Sequence, residues 1–130
     1  MTGDIIDLIN YRISRSLETL QEAKIMIDNK FWNAAINRMY YACYYVVTAL
    51  LLKDSHKTGT HKGIRQIFGL HYVQKGIISK EDGRFFSDLF DRRQTGDYDD
   101  YILYDENTAV EIFTRADAFI HRVIDVINAK

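Results

Sequence analysis

Arg38 sits in a run, Phe31–Leu52 (FWNAAINRMYYACYYVVTALLL), that is otherwise almost wholly apolar or aromatic. A guanidinium in such a setting needs a carboxylate, a phosphate or another acceptor. Beside it stand Tyr40, Tyr41, Tyr44 and Tyr45, whose phenols can wall a pocket or donate a hydrogen bond. Two readings fit. In one, Arg38 holds a phosphate in a polar pocket, with a tyrosine such as Tyr41 or Tyr45 as wall or donor. In the other, Arg38 makes an internal salt bridge to Asp97 or another acid and the tyrosines pack as core. The internal pair is the favoured reading, and the two overlap if the pocket lies at a dimer seam.

Two further segments carry chemistry-bearing side chains. Lys53–Arg65 holds four basic residues, two histidines and one acid. Within it Thr60 and Gly63 flank a helix start, whose free amides favour anions. Lys57, His61, Lys62 and Arg65 are therefore candidate phosphate contacts, against the plainer reading of a solvated loop. The spacing His56…His61 is not a zinc pattern and Cys43 lies elsewhere, so no metal site is expected. Asp97–Glu106 holds five acids and three tyrosines. It lacks the glycine and terminal glutamate of a calcium loop, and reads as a solvated acidic loop or a docking point for a basic partner.

Composition narrows the classes. One domain of 130 residues with 47% hydrophobic content can bury a core without disulfides or metal. A net charge of −1 does not indicate a strongly basic nucleic-acid binder, although a local patch remains open. Cys43 reads as a buried structural thiol. The start, MTGDIIDLIN, lacks the pattern of a signal peptide, and the run Met39–Leu52 is too short to span a bilayer. A soluble, cytoplasmic, membrane-free protein is the expectation. There is no Gly-rich phosphate loop, no Gly-x-Ser-x-Gly, no His-Glu-x-x-His and no di-iron Glu-x-x-His pair, so ordinary enzyme classes and cofactors find no support.

The elements that must position these residues are helices. Proline is absent, where average usage near 5% would give about six, and this suits long helices. Ile6, Ile9, Ile13, Leu17, Leu20 and Ile27 form one stripe and predict a first helix over Asp4–Asn29. A second is expected over Phe31–Lys53, and a third over His61–Gln74 with Thr60 as N-cap and Gly76 as stop. Ser79 caps a fourth over Lys80–Arg92, Thr95–Asp105 reads as a loop or a broken turn, and Glu106–Ala129 forms the last helix. The fold class is all-α, a four- to five-helix up-and-down bundle in a single domain over 1–130. The long first, second and last helices are expected to pack antiparallel, with the shorter pair as crossover.

In order and spacing, three segments resemble the HEPN family of small helical domains. They are Ala34-Ala35-x-x-Arg38-x-Tyr40-Tyr41-Ala42 leading into Ala49-Leu50-Leu51; Thr60-His61-Lys62-Gly63-Ile64 followed by Phe68 and Lys75-Gly76; and Arg93-x-x-x-Asp97-Tyr98. The resemblance implies a four- or five-helix bundle that forms a homodimer. It also implies one of several roles: metal-independent ribonuclease or toxin, nucleotide binder, or partner of a minimal nucleotidyltransferase encoded beside it. The nuclease members carry Arg, four to six residues, then His; the arginine stabilises the phosphate and the histidine moves a proton.

The chain departs from that mark. After Arg92 and Arg93 no histidine follows at the right distance, and the sequence has Arg93…Asp97-Tyr98 instead. Arg65…His71 and Arg115…His121 match the spacing elsewhere, at a frequency chance alone supplies. A six-residue step on a helix leaves two side chains about 120° apart, so Arg115 and His121 are only weak catalytic candidates. Tyr98 titrates near pH 10 when unperturbed, a poor general base at neutral pH, and weak or no ribonuclease activity is expected. The reading reached is a dimeric interaction or nucleotide-binding module, Arg38, Tyr41, Tyr45, Arg93, Asp97 and Tyr98 forming its polar core or ligand site. A nucleotidyltransferase-type protein is its expected partner in a toxin–antitoxin-like pair, with nucleotide or RNA as possible ligand. A ribonuclease toxin with a non-standard site and a ligand-free adaptor are the alternatives.

Overall fold

A computed structural model describes residues 2–98 and 103–129, residues 93–98 as backbone alone. Helices α1 (Gly3–Asp28), α2 (Trp32–Lys53), α3 (His61–Phe68), α4 (Lys80–Tyr98) and α5 (Glu106–Asn128) follow in order, and a π-helical turn, Gly69–Val73, extends α3. No strand occurs among the described residues. The fold is the all-α bundle expected from the periodicity.

Helix starts are set by short polar side chains that satisfy orphan amides. The side chains of Thr2, Thr60, Ser79 and Asp105 accept from the N–H groups of Ile5, Gly63, Asp82 and Thr108 at 3.4, 2.9, 3.0 and 2.8 Å. Three ends share one closure. After α1 the N–H groups of Lys30 and Phe31 donate to Ile27 and Met26; after α2 those of Ser55 and His56 donate to Leu52 and Leu51. After the π-helical turn Gly76 and Ile77 donate to Val73 and Tyr72. Each closure places its first residue in the left-handed region, with φ of 65° at Lys30, 63° at Ser55 and 77° at Gly76. Only the glycine signals this in the sequence.

Two boundaries differ from the sequence reading. The expected third helix loses its α-helical ladder at Phe68 and finishes as a π-helical turn. Helix α4 runs on to Tyr98, into the stretch Thr95–Asp105 that the sequence reads as a loop or a broken turn. Direction also differs. Tyr104, just ahead of α5, donates its N–H to Asn33 Oδ1 at the start of α2, and Lys53 at the end of α2 donates to the carbonyls of Val126 and Ala129. Helices α2 and α5 are therefore parallel. The antiparallel order is α1, α2, α4, α5, with α3 and its turn as the crossover.

Helix α2 is central. Met39, Tyr40, Ala42, Cys43, Val46 and Val47 are fully buried. Ser16, Thr19 and Ala23 of α1 are buried against it, and the Ser16 hydroxyl donates to the Ala42 carbonyl at 2.6 Å, an approach that small side chains permit. Phe86 of α4 packs between Phe68 and Phe119, at ring separations of 5.3 and 5.8 Å. One side of α2 is only half-buried: Asn37, Arg38, Tyr41, Tyr44 and Tyr45. Ile6, placed on the buried stripe by its spacing, is 46% exposed because the first turns of α1 extend past their packing partners. Among the described residues no helix is long and apolar enough to cross a membrane.

Candidate functional site

The half-buried side of α2 meets the start of α3. Thr60 caps α3, so His61 occupies its first turn and projects back over α2. The His61 ring stacks on Tyr44 at 4.2 Å and meets the edge of Tyr41 at 5.9 Å. Its Nδ1 lies 2.8 Å from the hydroxyl of Tyr40, whose side chain is wholly buried. The tyrosines sit at steps of one, three and four along α2, which puts all of them on one side of that helix. A buried phenol in contact with an imidazole fixes the ring's orientation.

Arginines interleave with these rings. The Arg38 guanidinium lies 5.0 Å over Tyr41, and that of Arg15 lies 5.4 Å over Tyr45. Arg38 Nη1 is 3.6 Å from Glu22 Oε1, and its Nη2 and Nε bond Asn37 Oδ1 at 2.9 and 3.3 Å. Glu22 also lies 3.9 Å from Arg15, which reaches Glu18 at 3.3 Å. The Tyr45 hydroxyl and these carboxylates raise the Arg15 pKa above its ordinary value. Burial pushes the Tyr44 phenol upward, while the Arg12 guanidinium opposes that shift. The face is thus an aromatic surface edged with fixed positive charge, suited to flat π-systems and anions.

Of the candidate phosphate contacts, His61 is built into this face, while Lys57 and Lys62 are exposed beside it. Arg65 reaches Asp91 on α4 at 3.0 Å and lies 4.7 Å over Phe90. The expected partner of Arg38 was Asp97 or another acid. The described carboxylate nearest to it is Glu22 of α1, and the side chains of Arg93, Asp97 and Tyr98 lie outside the described residues.

Neither literal Arg…His pair converges. Arg115 lies 4.8 Å over Phe85, whereas the exposed His121 ring turns back to the Asp117 carbonyl at 2.8 Å. His71 packs against His56 at 4.6 Å, away from the Arg65–Asp91 bridge. Among the described residues no group of three or more His, Cys, Asp or Glu is placed to hold a metal ion.

Sequence reasoning passed over several polar contacts. Arg122 of α5 makes a two-pronged bond to the buried Asp82 of α4, at 2.7 and 2.5 Å. Tyr72 donates to Asp54 at 2.5 Å, and burial together with that carboxylate pushes the Tyr72 phenol up. Glu22, Arg12 and Arg15 read as ordinary exposed positions of an amphipathic helix. Their only available signal was a run of charges one to two turns apart on α1, close to the polar edge of its apolar stripe. Cys43 is fully buried and its thiol is pushed up by desolvation, which leaves it inert.

Comparison with known proteins agrees with this architecture. The HEPN domain family matches residues 9–126. A "UPF0332 protein" of Thermotoga maritima is 32% identical over 121 residues, covering 93% of this chain and 92% of that protein. "Putative toxin MJ0605" of Methanocaldococcus jannaschii is 32% identical over 123 residues, covering 95% and 91%. "Putative toxin MJ0142" of the same organism is 24% identical over 118 residues, covering 91% and 80%. With a family match spanning nearly all of its helices, the chain belongs to the HEPN domain family.

Proposed function

We propose that this chain is the toxin-type member of a two-protein pair. In this reading it is a cytoplasmic HEPN homodimer that binds a phosphate-bearing ligand, nucleotide or RNA, and is held in check by a nucleotidyltransferase-type partner. The observation that carries the reading is the face where His61, Tyr41, Tyr44 and Tyr45 meet Arg15 and Arg38. Rings stack bases and guanidinium groups attract phosphate. The names of two relatives support the toxin role.

A second reading, a ribonuclease with a non-standard site, is favoured by one contact. Although no histidine follows Arg93 at the nuclease spacing, His61 supplies an imidazole on the α2–α3 face, held there by Tyr40. Expression of the chain alone and together with the product of the adjacent reading frame tests the first reading. Growth arrest relieved by the neighbour supports it; no effect of either counts against it. Purified protein incubated with total RNA, with and without EDTA, tests the second. Cleavage abolished by His61→Ala and untouched by EDTA supports it, and uncut RNA removes it.

A further inference from the structure

Helices α4 and α5 meet along an open seam. Glu81, Phe85 and Asp88 of α4 line it, opposite Glu111, Arg115, Ala118, Arg122 and Asp125 of α5. Steps of three and four residues put each set on one stripe of its helix. Clefts of about 520, 230 and 130 Å³ follow one another along the seam. The first two share Glu81, Asp82 and Arg122, and the last two share Phe85 and Arg115, so they form one groove. The two-pronged Asp82–Arg122 bond crosses it as a rib. Ile78, Phe85 and Ile112 are buried and give the groove an apolar floor, while Ile77, 50% exposed, stands at its wide end. From Thr108 to Val126 the groove follows α5 for about 27 Å, the length of about five turns of a further helix.

Charge is uneven along this groove. At the wide end Arg122 is bound to Asp82, which leaves Glu81 and Asp125 in excess. At the narrow end Asp88 and Glu111 balance Arg92 and Arg115. We infer that the groove receives an amphipathic helix of a partner protein, with its apolar stripe along the seam and a lysine or arginine between Glu81 and Asp125. The inference rests on the two-protein pair proposed above and gives the partner a place on this chain. A helix laid in a groove inserts side chains at steps of three and four residues, and the clefts on either side of the Asp82–Arg122 rib can take them. The unbalanced carboxylates select a basic end and set the direction of the docked helix. A second copy of this chain does not supply such a helix. Its uncovered apolar stretch, Ile5, Ile6 and Leu8, is bordered by Asp4 and Asp7, with no basic residue among the first eleven. That stretch would set like charge against Glu81 and Asp125.

Calorimetric titration of the full chain with the product of the adjacent reading frame tests the inference. The double variant E81K/D125K, at two exposed positions, should weaken binding at least tenfold. The variant D4K/D7K makes the same charge change on α1 and should leave binding unchanged. Ala118→Trp, which fills the middle cleft, should also weaken binding at least tenfold. If the partner binds the wild type and both groove variants equally, the groove is overturned and the two-protein reading survives. If it does not bind the wild type at all, both fall. If Ala118→Trp lowers the oligomeric state of the chain alone in light scattering and leaves the partner's affinity unchanged, the occupant is a second copy and the inference is overturned. Should the groove variants fail to fold, hydrogen exchange of the wild-type complex decides the matter. Slowed exchange over Ile77–Asp82 and Thr114–Val126 supports the groove, and slowing confined to other segments overturns it.

Discussion

The α2–α3 face and the α4–α5 face both carry arginine and histidine, but among the described residues only the first gathers both kinds of side chain onto one cluster of rings. On α2–α3, His61 reaches across to Tyr40 and Tyr44, and arginines from α1 and α2 lie over the neighbouring Tyr45 and Tyr41 rings. On α4–α5, Arg115 and His121 share a helix and match a spacing, yet their side chains diverge. Two residues five or six apart on one helix point to different sides. Residues on different helices converge when packing puts their faces opposite one another. Spacing within a helix is thus a poor guide to a site here, and contact between helices is a good one.

The largest effect should test what the α4–α5 face does instead. Arg122→Met leaves the buried Asp82 carboxylate without its two-pronged partner. Urea unfolding should show a loss of about 2–3 kcal/mol, moderated because Arg122 itself is half exposed. A loss under half a kcal/mol would mean that this face is as lightly built as its Arg115 and His121 suggest.

Next in size is the contact that fixes the histidine of the other face. Tyr40→Phe removes the hydroxyl from the wholly buried ring that holds His61. It should cost about 1 kcal/mol and change the imidazole resonances of His61 in a proton–nitrogen spectrum. Unchanged resonances would mean that Tyr44 stacking alone sets the ring.

Tyr72→Phe should cost a similar amount, about 1 kcal/mol for the lost bond to Asp54, and should add a pH signature. The folded-state pKa of Tyr72 is raised by burial and by Asp54. Its contribution is therefore fully present below the unfolded value near pH 10 and is lost as pH rises from there through the folded value. Melting temperatures between pH 9 and pH 11 should fall less steeply in the variant than in the wild type.

Smaller still are the closures that support the faces. Ser55→Gly, at a φ of 63°, should stabilise the chain by up to about 1 kcal/mol by relieving a left-handed residue just past the end of α2. Smallest is His121→Ala: with the ring 62% exposed, stability should stay within about 0.5 kcal/mol of wild type. Any RNA cleavage should be untouched. Loss of cleavage in this variant would reverse the comparison and restore the Arg115…His121 pair.

The sequence by itself determined the helices, the caps at Thr60, Ser79 and Gly76, and the family. Apolar steps of three and four residues, the absence of proline, and Thr60, Ser79 and Gly76 at boundaries are local signals. Local signals are legible because they act within a few residues along the chain. Arg38, Tyr41, Tyr45 and His61 stood out for the same reason, as polar groups in an apolar helix or at a capped helix start. The left-handed Lys30 and Ser55 were hidden, since neither residue type favours that conformation and the closing hydrogen bonds compensate for it. Tertiary structure alone decided that α2 and α5 run parallel, that α4 continues to Tyr98, and that Glu22 rather than a more distant described acid meets Arg38. It also decided which cations pair across helices. Pairing depends on distance in space between helices far apart in sequence, and charge order along the chain carries no measure of that distance.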